Sequence, residues 1–160
     1  LVDICESFIV IASFVLGWLY QLNNKYIIGL NDVLSDRLKY IAQTMSTYNI
    51  KLWGQYIEEH GNGGSIIAKD NYFFIDNSFV RCMYEYGAIV FVLVIVLIFM
   101  AQKKMLDNEK YIMCLAFFIV TIASFAEHHL LEIAYNPFIF SVFACMSNND
   151  KVIMEEKRIC

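Results

Sequence analysis

A small set of side chains in this sequence can do chemistry: Arg37, Arg81, Asp76, Glu127, His128 and His129. Arginine binds phosphate oxygens through a planar fork and stays charged at any accessible pH. A carboxylate or an imidazole can take a proton from a hydroxyl group. Together these types suit a substrate that carries phosphate and an acceptor that carries a sugar hydroxyl. A structural role also accounts for each residue singly. Arg37 beside Asp36 is ordinary on a solvated helix face, and Arg81 can pair with Glu85 one turn on. Glu127 ends an apolar run, where an interfacial position explains it without catalysis. His128 and His129, if helical, point roughly 100° apart and do not both reach one metal ion. His128 and Glu132 can pair across one turn, but that is not a metal-ligand set. HExxH, GxSxG, P-loop and dinucleotide-binding signatures are missing, so neither a metal nor a cofactor is expected.

The elements that must position these groups are apolar. The chain has 160 residues, 59% hydrophobic and 16% aromatic, with a mean hydropathy of +0.52. Soluble domains have about 45–50% apolar residues, so an all-α integral membrane protein is expected. A net charge of −4 offers no basic field for nucleic acid. Five cysteines, odd in number and without CxxC spacing, favour neither a disulfide framework nor a zinc site. The first apolar run follows Asp3 and Glu6 with no basic residue before it, unlike a signal peptide. Starting at Leu1, the chain reads as a fragment of a longer protein.

About four membrane-spanning helices are expected by length and composition, over 4–22, 79–101, 111–127 and 130–146. The last is interrupted by Glu132, Asn136 and Pro137. The second opens on Asp76, Asn77 or Ser78, any of which can cap a helix. Its wholly apolar part, Gly87 to Ala101, is about 22 Å long and too short to cross, so the helix should also include Cys82 to Tyr86. That puts Arg81 in the first turn at the membrane surface, where free N–H groups favour an anion. Between the first two spans lies a loop, 23–78. Within it Leu34, Leu38, Ile41 and Met45 recur at helical spacing, predicting an amphipathic helix capped by Asn31, Asp32 or Ser35. Gly54 and Gly61 to Gly64 mark turns, and Tyr72 to Ile75 is a short β-like run. Lys103, Lys104, Lys110 and the tail from Ser147 hold the basic excess of the short segments, so these segments should be cytoplasmic. Both termini are then inside, and every candidate residue lies on the outer face.

The order of LSDRLKY, YNIKLWGQ, DNSFVRCMYEYGAIVF and FAEHHLLEIAYNPFIF resembles the C-terminal portion of the bacterial O-antigen and capsular polysaccharide polymerase-like (Wzy-type) family. The matching positions are Leu34, Ser35 and Arg37, then Gly54, then Asp76, Asn77, Ser78, Phe79 and Gly87, then Glu127, Asn136, Pro137 and Phe138. They cover about 31–146. Each motif is short, so the resemblance rests on their order. Phe79 stands where tyrosine is common. The resemblance implies a multi-spanning, GT-C-like, inverting glycosyltransferase that works without a metal in the bacterial cytoplasmic membrane. Such an enzyme moves a glycan from an undecaprenyl-diphosphate carrier to an incoming lipid-linked repeat unit. It implies partners among lipid-linked oligosaccharides, membrane lipids and other polysaccharide-assembly proteins. In that reading Arg37 and Arg81 hold the diphosphate, and Asp76, Glu127, His128 or His129 handles the acceptor proton. A ligase of the same family, a transporter or flippase fragment and a non-catalytic scaffold are the alternatives. Charges clustered at the outer boundary, not in mid-helix, favour the enzyme.

The expected topology is testable by thiol labelling. A cysteine placed at Asn62 should react with an impermeant maleimide from outside, and one placed at Lys104 should not. The reverse pattern would invert the orientation.

Overall fold

The computed structural model describes residues 2–60, 72–132 and 136, with backbone alone for 2–5. Helices dominate: α1 (Val2–Gln21), α2 (Lys25–Val33), α3 (Arg37–Thr47), α4 (Ser78–Arg81), α5 (Ala88–Asp107) and α6 (Tyr111–Ala123). A π-helical turn, Cys82–Tyr86, follows α4, and a single 3₁₀ turn, His129–Leu131, follows α6. The β-like run shrinks to one antiparallel bridge between His60 and Phe73.

The predicted amphipathic helix is two helices. Ser35 and Asp36 both adopt positive φ and break the chain between α2 and α3. Asp36 takes the N-cap position of α3, but its side chain makes no capping bond. Asn31, predicted as a cap, lies inside α2 and does that work from a turn away. Its amide donates to Asp36 Oδ1 at 2.9 Å, and its oxygen accepts the Lys39 N–H at 2.9 Å. The buried face is as the spacing predicts: Leu38 and Ile41 are in the core, with Leu34 and Met45 packed on them. This face lies against α1 at Gly17, where a Cβ would collide with Ile41 and touch Met45. Gln21 fixes the crossing by donating to the Ala42 carbonyl at 2.8 Å.

The second expected span differs most from its prediction. Asn77 is the cap, accepting the Phe79 and Val80 N–H groups at 3.1 and 2.9 Å. The helix does not run on through Tyr86 into the apolar stretch. Gly87, at φ +98°, breaks it, and α5 starts at Ala88. The cause is a distant loop. The carbonyls of Lys51 and Leu52 accept the Ala88 and Ile89 N–H groups at 3.0 and 3.3 Å, and the Gln55 N–H donates to Glu85 O at 3.0 Å. Gly54, itself at φ +80°, meets Gly87 backbone to backbone, and a Cβ on either would collide with the other segment. Length is recovered at the other end, because α5 continues to Asp107. Its 20 residues span about 30 Å. Gln102 and Met105 on that extension are fully buried, so the polar residues after Ala101 do not end the helix.

α5 is the one helix among the described residues that is long and apolar enough to cross a membrane; Glu6–Gln21 and Tyr111–Ala123 are shorter apolar helices. α6 ends at Ala123, earlier than the expected 127. Thr121 and Ser124 turn their hydroxyls back to the Phe117 and Val120 carbonyls, at 3.0 and 2.8 Å. α1, α5 and α6 share one core, in which Phe14 meets Phe91 edge-on with centroids 5.8 Å apart. The fourth expected span, apart from its first residues and Asn136, lies outside the described residues, as do Pro137, Phe138, the Gly61–Gly64 turns and the tail.

The Gly54–Gly87 contact should be costly to disturb. Gly87→Ala is expected to lower the thermal unfolding midpoint in detergent, since alanine at positive φ loses more than about 1 kcal/mol. Gly29→Ala, with nothing within 4 Å of its Cβ in the middle of α2, should gain about 0.5–1 kcal/mol. An unchanged midpoint for Gly87→Ala would refute the backbone contact.

Candidate functional site

Asn77 and Ser78 assemble the site. The Asn77 amide donates to the Phe125 carbonyl at 2.8 Å and to Ser13 Oγ at 3.1 Å, so one buried side chain ties α4 to α1 and to the end of α6. Ser78 donates its backbone N–H to Ser124 O at 2.9 Å. Its hydroxyl donates to the Glu127 carbonyl and accepts the Leu130 N–H at 3.2 Å. These bonds hold the 124–130 turn beside Asp76.

Arg37 reaches this turn from the start of α3. Its Nη2 lies 3.2 Å from Glu127 Oε1 and its Nε 3.6 Å from Asp76 Oδ2. The structure thus brings Arg37, Asp76 and Glu127 together. Arg81 is placed differently from its prediction. It ends α4 instead of opening a spanning helix, and its side chain is 13% exposed. It pairs with Glu59, lies 3.5 Å from Glu85, and donates from Nε to Ile75 O at 3.1 Å. Its guanidinium also covers the Phe74 ring, 4.8 Å from the centroid. Glu59 is doubly used, since it also accepts the Ile75 N–H at 2.9 Å. Sequence reasoning missed Glu59 and Phe74; no periodicity links Glu59 to an arginine 22 positions on.

His128 meets the other edge of this chain of contacts, with its ring edge-on to Phe74 at 5.0 Å. The histidines sit on a turn, not a helix, so the expected 100° divergence does not occur. Their ring centroids are 4.0 Å apart, and both contact Glu132, at 3.4 and 3.1 Å. Ligand atoms of Glu127, His128 and His129 fall within 4.8 Å of one another, close enough to converge on a cation. To bind there a cation must replace the pairings of Glu127 with Arg37 and of both imidazoles with Glu132. Ser78, Arg81, Tyr86, His128 and Leu130 to Glu132 line a cleft of about 390 Å³ of open space.

Burial raises the Asp76 carboxyl above its ordinary range; Arg37 opposes this and Glu127 adds to it. Burial, then the neighbouring His129 and Arg81, lowers His128 below its ordinary value of 6.5. Asp76 is therefore a carboxylate of enhanced basicity, and His128, on the cleft wall, an imidazole that stays neutral at pH 7. Comparison with protein-family models, with curated proteins and with solved structures finds no match to this chain.

The histidine shift has a definite sign. The unfolded chain takes up the His128 proton near pH 6.5 and the folded chain resists it, so stability should fall as pH drops below about 6.5. The thermal midpoint in detergent should decline from pH 7 to 5, and His128→Asn should flatten the decline. An equal slope in the variant would show that His128 is not the group.

Proposed function

We propose that the chain forms part of a membrane-embedded glycosyltransferase that joins undecaprenyl-diphosphate-linked repeat units at the outer face of the bacterial cytoplasmic membrane. The observation that carries this reading is the convergence of Arg37, Asp76, Glu127 and His128 around the turn held by Asn77 and Ser78. The positions behind the polymerase resemblance have structural tasks in that convergence: Asn77 and Ser78 build it, and Gly54 and Gly87 set the helix beneath it. Support for a membrane setting comes from α5, whose most apolar stretch is only 28% buried. About four spans remain the proposed architecture.

In the proposed reaction an acceptor sugar hydroxyl attacks the anomeric carbon of the donor glycan. The new C–O bond forms as the bond to the carrier diphosphate breaks on the opposite side, inverting the centre. Asp76 takes the hydroxyl proton, its raised basicity suiting a general base. Arg37 receives the negative charge of the departing diphosphate. Its 3.6 Å contact with Asp76 is the looser of its two carboxylate contacts, and its side chain is 30% exposed, so a phosphate can displace Asp76 and free it as the base. Arg81, on the cleft wall, is the second diphosphate contact, and reaching the phosphate requires it to loosen from Glu85, its longer pairing.

The assay is polymer formation from purified lipid-linked repeat units by the full-length protein, normalised to folded protein. Arg37→Lys should already reduce turnover, because a point charge replaces a bidentate fork. Arg37→Ala should cost about 10²–10³-fold, and Asp76→Asn a similar factor, with normal accumulation. Arg81→Ala should lower both activity and the amount of folded protein. Full specific activity in Arg37→Ala and Asp76→Asn would remove the catalytic reading.

A further inference from the structure

The loop that stops α4 from running into α5 carries the most exposed aromatic pair of its region. Trp53 and Tyr56 are 85% and 87% exposed, and Leu52 beside them is also open. These rings are not on a loose strand. Lys51 and Leu52 are bonded through their carbonyls to the first N–H groups of α5, Gln55 is bonded to Glu85, and Gly54 abuts Gly87. The Gln55 side chain adds a bond to Asn49 O at 2.7 Å. The backbone around Trp53 is therefore pinned to the end of α5.

That end has a definite depth if α5 crosses a bilayer, as the proposed function holds. Twenty residues at 1.5 Å give about 30 Å, the thickness of the hydrocarbon core, with Lys103, Lys104 and Asp107 at the far end reaching out to the opposite headgroups. Ala88 then lies at the core boundary, and the loop bonded to it lies at the headgroup level. Tryptophan and tyrosine concentrate at that level, because their rings are apolar with a polar edge. Lys51 next to them suits lipid phosphate. We propose that Leu52, Trp53 and Tyr56 form a wedge seated in the headgroup–acyl boundary of the lipid bilayer, which holds α5 in vertical register and fixes the cleft above the membrane surface. The occupant is lipid, since the exposed flank of α5 at Val92 and Leu93 continues directly below the loop.

The test uses the full chain in phosphatidylcholine–phosphatidylglycerol vesicles, with Trp18→Phe leaving Trp53 as the sole tryptophan. Trp53 should emit at a blue-shifted wavelength, be quenched more by lipids brominated near the headgroup than by lipids brominated deep in the chain, and resist aqueous iodide. A second protein, Trp18→Phe/Trp53→Phe/Leu93→Trp, reports on α5 itself and should be quenched best by deep bromines. If Leu93→Trp behaves so while Trp53 answers only to iodide, the wedge is wrong and the spanning helix stands. If neither tryptophan responds to brominated lipid, both readings fail. Blue-shifted Trp53 emission that ignores brominated lipid would mean that protein covers the loop, through a second copy where the shift fades on dilution in lipid, and would equally overturn the proposal.

Discussion

The arrangement depends on two adjacent polar side chains that are almost fully buried. Asn77 and Ser78 connect α1, α4 and the turn after α6, using side-chain and backbone groups together. Buried polar groups are costly unless every partner is present. Here the Asn77 amide uses both its donor and its acceptor ends, and the Ser78 hydroxyl donates and accepts. Such a network tolerates little displacement, so the 124–130 turn has essentially one position relative to α4. Asp76 precedes the knot and Glu127 is part of it. Their separation, and hence the seat of Arg37 between them, is inherited from the knot.

The Gly54–Gly87 contact constrains the other side. It separates the short α4 with its π turn from α5, and lets a loop cap α5: free N–H groups of the helix are satisfied by the carbonyls of Lys51 and Leu52. The first turn of α5 is therefore already occupied by protein. The N–H groups there are not open to an anion, and the arginines of the candidate site, Arg37 and Arg81, lie on the α3–α4 side of the break.

Much of this was legible. Asn77 as one of three candidate caps and the Leu38–Ile41 face follow from residue type and spacing. What was not legible depends on distant partners. A glycine within a helical pattern costs only about 1 kcal/mol, so Gly87 alone does not announce a break; the break needs the Lys51–Gln55 loop. Nor does helical spacing reveal the Ser35–Asp36 kink, because Leu34 before it keeps the spacing of Leu38, Ile41 and Met45 after it. Residue type and spacing put Arg81 in the first turn of a spanning helix, open to an anion. Glu59, brought over by the His60–Phe73 bridge, changes that.

The two guanidiniums are consequently unequal. Arg37 and Arg81 each face two carboxylates, so neither is charged in excess, and in the proposed function a phosphate must exchange with a carboxylate to bind. The exchange is governed by what the displaced carboxylate becomes. Glu127 is half-exposed and returns to water at little cost. Glu59 is largely buried and also holds the Ile75 N–H, so displacing it strands a charge and a backbone donor together. Removing one partner of a buried pair costs about 3–5 kcal/mol, whereas exposed pairs contribute about 0–1 kcal/mol. Under the proposed function, exchange for phosphate is thus cheap at Arg37 and at the Glu85 side of Arg81, and expensive at Glu59. The Glu59 pairing keeps Ile75, and with it Asp76, in place.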